Sequence, residues 1–144
     1  MIFDKAVKLK VLFLCTGNSC RSQMAEGFGR VLGEGVIEAF SAGFMPAGVN
    51  PYAIRVMAEA GVDIKGQTSK SATMSMMEGM DIIITLCDNA AAFCPDTPPG
   101  IKRLHWPIND PVGTVGTDEE IMAEFRVARD EIRGKVEEFI EGLK

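Results

Sequence analysis

The sequence lacks any apolar run close to the ~20 residues that a membrane-spanning helix requires. Its first ten residues, MIFDKAVKLK, contain lysines but no apolar stretch followed by a small-residue cleavage site, so they do not resemble a signal peptide. With a net charge of −5, the chain also lacks the basic surplus that is typical of nucleic-acid binders. We therefore expect a cytoplasmic protein with no membrane partner and no nucleic-acid partner.

Histidine is almost absent, which weakens the case for a zinc site. The four cysteines lie close together in sequence as two pairs. Four residues separate Cys15 from Cys20, and six residues separate Cys87 from Cys94. Only His105 offers an imidazole ligand. These spacings do not suit the four ligands of a structural zinc ion. In a cytoplasmic chain, the cysteines instead favour catalysis or redox chemistry over a static disulfide framework.

What the chain does contain is a regular alternation of strand and helix patterns. Apolar or alternating runs predict strands at residues 7–15, 36–43, 80–87 and 101–108. Helical spacing of apolar residues, with cap and stop residues, predicts helices at residues 22–33, 50–61 and 118–143. This alternation predicts an α/β fold, a single-domain three-layer sandwich in which helices flank a four-stranded parallel sheet, with residues 1–144 as one domain.

Three chemically active segments follow the predicted strands. Cys15 and Cys87 end two of the strands, and Asp110 lies just after a third. Ligands of parallel sheets bind beyond the carboxyl ends of the strands. We therefore expect these three distant positions to converge on one site.

The segment CTGNSCRS contains the parts of an oxyanion site built around a thiolate. Cys15 leaves a strand, and Gly17 gives the backbone freedom to curl. A loop wrapped before a helix N-terminus directs successive N–H groups inward, where they bind tetrahedral anions. The Arg21 guanidinium adds a planar charged fork, and the same positive field favours a thiolate at Cys15, to which Ser22 can donate. The predicted oxyanion-binding residues are Thr16, Gly17, Asn18, Ser19, Cys20, Arg21 and Ser22.

The alternative is that this segment has only a structural role, as a tight strand-to-helix turn that buries a cysteine. A C-x₅-R pattern by itself occurs by chance, and buried cysteines are common in protein cores. The order of strand, glycine-containing turn, arginine and helix favours the functional interpretation. Within the loop, Cys20 is best explained by packing, with reserve thiol chemistry as the alternative.

Asp110 is a candidate general acid. In WPINDPVG it precedes Pro111, which keeps its backbone extended. A carboxyl beside a thiolate and a bound anion can protonate a leaving oxygen. The alternative is an ordinary Asp-Pro turn, or a turn formed by Asn109, and the residues alone do not decide between these interpretations.

The loop resembles a known superfamily. CTGNSCRS resembles the C-x₅-R-S anion loop of the low-molecular-weight protein tyrosine phosphatases, and CTGNSCRSQMAEG is more similar to the thioredoxin-coupled arsenate reductases within that superfamily. The similarity continues through SAG, GVNPYAI, TLCDNAAAFCP, HWPINDP and FRVARDEI, from about residue 9 onward. The resemblance implies a four-stranded parallel sheet, a monomer, and Asp110 as the general acid.

One departure from the phosphatases bears on the substrate. The phosphatases usually have a tyrosine after the Asp-Pro motif, whereas this chain has Val112, and its only tyrosine is Tyr52. The aromatic platform for a phosphotyrosine is therefore missing.

The second cysteine pair bears on the reaction. A phosphatase needs one nucleophilic thiol, but reduction of arsenate to arsenite requires further thiols to supply two electrons. The resemblance implies that Cys15 attacks arsenate, Cys87 attacks Cys15, and Cys94 then forms a Cys87–Cys94 disulfide that thioredoxin reduces. The alternative is two unrelated structural cysteines. Phosphate or sulfate would compete with arsenate for the loop, and no tightly bound cofactor is expected.

A cation site is also implied by the resemblance. Some members bind potassium beside the loop through residues that match Asn18, Glu26, Ser41 and Thr68. A further acidic ligand of those members is Lys70 here, and its ammonium offers a substitute for the ion. The alternative role for these residues is hydrogen bonding that holds the loop in shape.

Three functions therefore compete. The first is a thioredoxin-dependent arsenate reductase, and the second is a low-molecular-weight phosphatase in which Cys87 and Cys94 protect Cys15 from oxidation. The third is a non-enzymatic protein that binds arsenite or a metal through its thiols. The position of the cysteines on the predicted strands favours the first.

Overall fold

The computed structural model describes residues 8–86 and 97–144 of the chain. The strands in these residues are β1 (Leu9–Cys15), β2 (Ile37–Gly43), β3 (Ile82–Thr85) and β4 (Lys102–His105). They pair in parallel, in the spatial order β2-β1-β3-β4. Strands β1 and β3 are therefore central, and their carboxyl ends lie side by side.

The helices are α1 (Arg21–Leu32), α2 (Pro51–Glu59), α3 (Met74–Glu78) and α4 (Asp118–Leu143). Their starts follow the capping signals in the sequence. The Asn50 side chain accepts a hydrogen bond from the Tyr52 amide at 2.8 Å, as an N-cap residue should. Thr117 and Glu120 form a reciprocal capping box at the start of α4.

The central strand β1 is buried on both faces, which explains its unbroken apolar run. Val11 and Phe13 belong to the core on one face of the sheet, and Leu12 and Leu14 belong to the core on the other. All four side chains are 0% exposed. Burying one such side chain contributes about 1.5–3 kcal/mol.

The helices form layers on both sides of the sheet. Helices α1, α2 and α4 cover the face that contains Phe13, where Phe28 and Phe125 pack into the same core. Helix α3 covers the opposite face, where Met77 packs with Leu12. This arrangement confirms the predicted α/β three-layer sandwich with a four-stranded parallel sheet.

Strand β4 is shorter than the predicted 101–108. Its ladder with β3 runs from Lys102 to His105. Beyond it, the Trp106 and Ile108 amides still donate to β3-side carbonyls at 2.8 and 3.3 Å, but Pro107 between them has no N–H to continue the ladder. Proline therefore ends the regular strand.

Helix α3 has no counterpart in the predicted elements. It is five residues long and begins after Thr73, whose hydroxyl caps it. One turn and a half is too short to produce a detectable helical period.

Strand β3 was predicted at residues 80–87, and Cys87 at its predicted end lies outside the described residues. Within residues 8–86 and 97–144, no helix is long and apolar enough to cross a membrane.

Candidate active site

The predicted oxyanion loop fills the gap between β1 and α1. Strand β1 ends at Cys15 and α1 begins at Arg21, so residues 16–20 must turn the chain over the carboxyl end of the sheet. A pocket of about 200 Å³ opens at this point. Its lining residues are Cys15, Thr16, Gly17, Ser19, Cys20, Arg21, Ala47, Asp110 and Val112.

The carbonyl groups of the loop point away from this pocket. The oxygens of Thr16, Gly17 and Ser19 accept hydrogen bonds from backbone amides of the segment 44–50, each at 2.9 Å. In a trans peptide the N–H points opposite to the C=O. The N–H groups that share these peptide planes are therefore directed to the inner side of the loop, which makes a cradle for an anion.

Cys15 lies at the base of the loop as the candidate nucleophile. Its side chain is buried, and its Sγ lies 2.9 Å from Ser22 Oγ. Asn18 Nδ2 donates to the same Ser22 oxygen at 2.8 Å. Because Ser22 Oγ already accepts from Asn18, its own hydrogen is available for a bond to the Cys15 sulfur.

The backbone of the loop differs from the prediction at one residue. Gly17 was expected to supply the conformational freedom, but a Cβ added there would meet its neighbours at ordinary distances of 3.6–3.8 Å. The left-handed residue is Asn18, with φ 45°. Asparagine tolerates this region better than most residues. The expectation that Gly17 supplies the backbone freedom of the loop is therefore wrong. The residue in the left-handed conformation that turns the loop is Asn18.

Arg21 and Asp110 meet in the pocket although 89 positions separate them in the sequence. The Arg21 side chain is buried, with Nη1 donating to the Ile108 carbonyl at 3.0 Å and to the Leu86 carbonyl at 3.4 Å. Its Nη2 lies 3.2 Å from Asp110 Oδ2. The guanidinium thus binds two backbone carbonyls and one carboxylate at the carboxyl ends of β3 and β4.

Asp110 both forms a turn and lines the pocket. Its Oδ1 accepts from the Val112 amide at 3.0 Å, as in an Asx turn. The same oxygen lies 3.7 Å from Cys20 Sγ. Burial raises the pKa of the Cys20 thiol far above its ordinary range, and the charges of Asp110 and Cys15 raise it further. Cys20 is therefore a neutral donor to Asp110.

The residues of the implied cation site are linked around Lys70. Lys70 Nζ donates to the Thr68 carbonyl at 2.6 Å and lies 4.0 Å from Glu26 Oε1. The Ser41 hydroxyl donates to the same Glu26 oxygen at 2.5 Å. The backbone amide of Lys70 donates to Asn18 Oδ1 at 2.8 Å. All four predicted residues therefore share one network, and its cation is an ammonium.

Two residues of the site were not predicted from the sequence. Gln23 is 0% exposed, and its Nε2 donates to the Asn18 and Thr68 carbonyls, both at 3.0 Å. Ala47 lines one side of the pocket. Neither has a local signal in the sequence, because each acts through contacts that only the folded chain creates.

The second cysteine pair lies outside the described residues. Cys87 and Cys94 fall within 87–96, and the described chain stops at Leu86, whose carbonyl accepts from Arg21. In the part of the chain that the structure does describe, no three His, Cys, Asp or Glu side chains converge to hold a metal ion.

Comparisons with known proteins match nearly the whole chain. A family model for low molecular weight phosphotyrosine protein phosphatases matches residues 10–144. An arsenate reductase of Halalkalibacterium halodurans is 46% identical over 134 residues, 93% of this chain and 96% of that protein. An arsenate reductase of Bacillus subtilis is 46% identical over 131 residues, 91% of this chain and 94% of that protein. Among solved structures, an arsenate reductase in the phosphate binding state is 36% identical with a TM-score of 0.77, over 94% of this chain and 99% of that one.

Proposed function

The chain belongs to the low molecular weight phosphotyrosine protein phosphatase family, and on that premise we propose that it is an arsenate reductase that converts arsenate to arsenite with its own thiols. The observation that carries the proposal is the convergence of Cys15, Arg21 and Asp110 on one anion cradle. Relatives 46% identical to the chain are arsenate reductases, which supports arsenate as the substrate.

The cradle selects tetrahedral oxyanions rather than phosphate esters of large alcohols. Inward N–H groups and the Arg21 guanidinium supply the donors, which phosphate and sulfate can also use. Val112, half-exposed at 49%, lines the pocket mouth where an aromatic residue would hold a phosphotyrosine ring. Phosphatase activity is therefore a weak side reaction.

The first chemical step forms a bond between sulfur and arsenic. The Cys15 thiolate attacks arsenic(V) in the cradle, and a hydroxyl group of the arsenate leaves as water after it takes a proton from the protonated Asp110 carboxyl. Arg21 and the loop amides neutralise the negative charge of the oxygens that stay. No electron pair has yet passed to arsenic, so this step alone does not reduce it.

The second and third steps move a disulfide along the chain. Cys87 attacks Cys15 sulfur, and the electron pair of the broken sulfur–arsenic bond leaves with arsenic, which departs as arsenite, arsenic(III). Cys94 then attacks Cys87, which frees Cys15 and leaves a Cys87–Cys94 disulfide. For these two residues the proposal rests on the sequence, since both lie outside the described residues.

The cycle needs an external dithiol to reduce the final disulfide. We assign this role to thioredoxin, so that no tightly bound cofactor takes part. A thiol cycle of this kind requires a reducing compartment, which fits a cytoplasmic enzyme. We further treat the protein as a monomer with residues 1–144 as one domain.

Lys70 takes the place of a potassium ion. Its ammonium neutralises Glu26 and binds the Thr68 carbonyl, two groups that would otherwise ligate the ion. A second positive charge at this position would be repelled by the ammonium. The residues present therefore do not fit a bound potassium ion, and no step of the reaction depends on one.

Single cysteine variants in a coupled assay test the relay. The assay contains arsenate, thioredoxin, thioredoxin reductase and NADPH, and arsenite is measured directly. Cys15→Ser abolishes turnover. Cys87→Ser releases no arsenite, because nothing breaks the sulfur–arsenic bond. Cys94→Ser releases about one arsenite per enzyme and then stops, because the Cys15–Cys87 disulfide is not passed on.

Cys20→Ser is the matched control, because it removes a loop thiol that the relay does not use while its hydroxyl can still donate to Asp110. It keeps multiple turnover. Full multiple turnover by Cys94→Ser would contradict the relay. Rapid hydrolysis of an aryl phosphate by a protein that does not turn over arsenate would identify a phosphatase with protective cysteines. Stoichiometric arsenite or zinc in the purified protein, unaffected by Arg21→Ala, would identify a thiol-based binding protein.

A further inference from the structure

The Arg21 guanidinium is already engaged within the protein. Its Nη1 donates to the Ile108 carbonyl at 3.0 Å, and its Nη2 is ion-paired with Asp110 Oδ2 at 3.2 Å. The Arg21 side chain is only 6% exposed, so its contacts are made in a largely dry environment, where charge pairs are strong. An oxyanion that binds the Arg21 guanidinium therefore encounters the Asp110 carboxylate, which is already bound to the guanidinium.

Asp110 is held on Arg21 by two further donors. Its Oδ1 accepts from the Val112 amide at 3.0 Å and lies 3.7 Å from the neutral Cys20 thiol. With Oδ2 on Arg21, both carboxylate oxygens have donors inside the pocket. The Asp110 side chain is 38% exposed, so it can swing toward solvent without opening the core.

We propose that Asp110 is a latch on the oxyanion cradle: its carboxylate competes with the oxyanion for Arg21, and the oxyanion binds by displacing it. This inference rests on the proposed oxyanion cradle but not on the reduction of arsenate. An oxyanion that binds Arg21 Nη2 would lie beside the Asp110 carboxylate, and the two negative charges repel each other. The affinity of the cradle for the oxyanion is therefore lower than it would be without Asp110, because part of the binding free energy is used to displace the carboxylate.

The latch gives Asp110 two roles, one before the oxyanion binds and one after. While Asp110 is on Arg21, it closes the cradle to weakly binding anions. Once an oxyanion displaces it, the Asp110 carboxylate lies next to the anion, where it can take up a proton from solvent and then act as the general acid. Arrival of the substrate and release of the Asp110 carboxylate thus become a single event.

Phosphate binding by the reduced full-length protein tests the latch without any redox step. We would measure inorganic phosphate by isothermal titration calorimetry for wild type, Asp110→Asn and Asp110→Ala. Both variants are expected to bind phosphate about tenfold or more tighter than wild type, the size of one charge-assisted hydrogen bond. Both are also expected to turn over arsenate more slowly, because the general acid is gone.

Asp118→Asn is the matched control. Asp118 is paired with Arg55 at 3.2 Å, the same distance as the Asp110–Arg21 pair, but it lies at the start of α4. Its substitution removes the same charge and should leave phosphate affinity within about twofold of wild type, since exposed charges are screened by salt. A similar gain in Asp118→Asn would assign the effect to net charge and overturn the latch.

Other outcomes are equally decisive. Equal or weaker phosphate binding by both Asp110 variants, or no phosphate binding by any of the proteins, would overturn the latch. If one variant unfolds, as judged by circular dichroism, the other still gives the comparison, and loss of the fold in both would show that Asp110 is structural. Wild type that binds phosphate but does not reduce arsenate would contradict the proposed function and not the latch.

Discussion

Asn18 joins the oxyanion loop to two other parts of the molecule through one buried amide. Its Oδ1 accepts from the Lys70 backbone at 2.8 Å, and its Nδ2 donates to Ser22, the residue that contacts Cys15. Its backbone has φ 45°, where most side chains are strained. Asn18 therefore supports Cys15, the candidate nucleophile, through Ser22, although it does not line the pocket.

We expect Asn18→Ala to weaken both the fold and the site. The Lys70 amide loses its acceptor, and alanine is strained in the left-handed region. The free energy of unfolding should fall by about 2–4 kcal/mol, and phosphate binding should weaken. Urea denaturation and phosphate titration measure the two effects.

Asn18→Gly is the control, because glycine relieves the backbone strain but does not restore the lost hydrogen bonds. Unchanged unfolding and phosphate affinity in Asn18→Ala would contradict this role.

The reactive side chains that line the pocket could be predicted from the sequence, whereas the residues that hold them in place could not. Cys15, Arg21 and Asp110 were found because a thiol, a guanidinium and a carboxyl have recognisable chemistry at strand ends. Gln23 acts through backbone carbonyls, one of which belongs to Thr68, 45 positions away. Such a contact exists only after the chain has folded.

At the scale of elements, Lys70 joins the end of β2 to the loop and to α1. Its carbonyl accepts from the Gly43 amide at 2.8 Å, and its amide donates to Asn18. Its ammonium lies 4.0 Å from Glu26 on α1. One residue outside any helix or strand thus fixes three elements around the site.

We expect Lys70→Asp to create a dependence on potassium. The change removes the ammonium and adds a second carboxylate near Glu26, and a bound cation relieves their repulsion. The melting temperature of the variant should rise by about 3 °C in potassium chloride relative to sodium chloride at equal ionic strength. Wild type should show no such difference. Differential scanning calorimetry measures both.

Lys65→Asp is the control for this prediction, since Lys65 is exposed and outside the network. It should not respond to potassium. Stabilisation of wild type by potassium would show that the ammonium does not replace the ion. No response in Lys70→Asp would show that these residues only hold the loop in shape.

Long periodic elements were predictable, and short or interrupted ones were not. The apolar repeat of α4 predicted a helix at 118–143, and the structure has Asp118–Leu143. Its buried residues on that repeat include Phe125, Ile132 and Val136. Helix α3, with five residues, has too few positions to display a period, and Pro107 shortened β4.

At the scale of the whole molecule, ion pairs between α2 and α4 join the second and the last helix. Glu59 at the end of α2 binds two arginines of α4. Arg126 Nη2 and Arg129 Nη1 each lie 2.9 Å from its carboxylate. Arg129 also donates to the Val56 carbonyl at 3.0 Å. The hydrogen bond from Arg126 is the main reason that the pKa of Glu59 falls from about 4.5 to about 2.

We expect Glu59→Gln to remove a pH-dependent part of the stability. A carboxyl with a lowered pKa in the folded state stabilises the fold above its unfolded pKa near 4.5, and this contribution is lost as the pH falls toward 2. The variant should therefore be less stable than wild type at pH 7, and the difference should shrink below pH 4.5. Urea denaturation of both proteins between pH 7 and pH 3 measures it.

Glu124→Gln is the control, because Glu124 is an exposed carboxylate on α4, the helix whose arginines bind Glu59. Its effect on stability should be small and should not change over this pH range. A difference between wild type and Glu59→Gln that stays constant with pH would show that the carboxylate charge is not what stabilises the pair of helices.

The convergence of the site was predictable at this scale because parallel sheets place their carboxyl ends at one edge. Cys15 and Asp110, which end or follow two different strands, do line one pocket. The side walls of that pocket were not predictable. They depend on how segment 44–50 crosses the loop, and this path is fixed by backbone hydrogen bonds that carry no sequence signature.

Those backbone bonds also bear on how the site can evolve. The outward carbonyls of Thr16 and Gly17 bind main-chain amides of residues 44, 45 and 47, and any residue except proline supplies an amide. The side chain of Ala47, which lines the pocket, is thus free to change without loss of these backbone bonds. Selection can retune which oxyanions or esters reach the thiolate while the machinery that holds them is inherited intact.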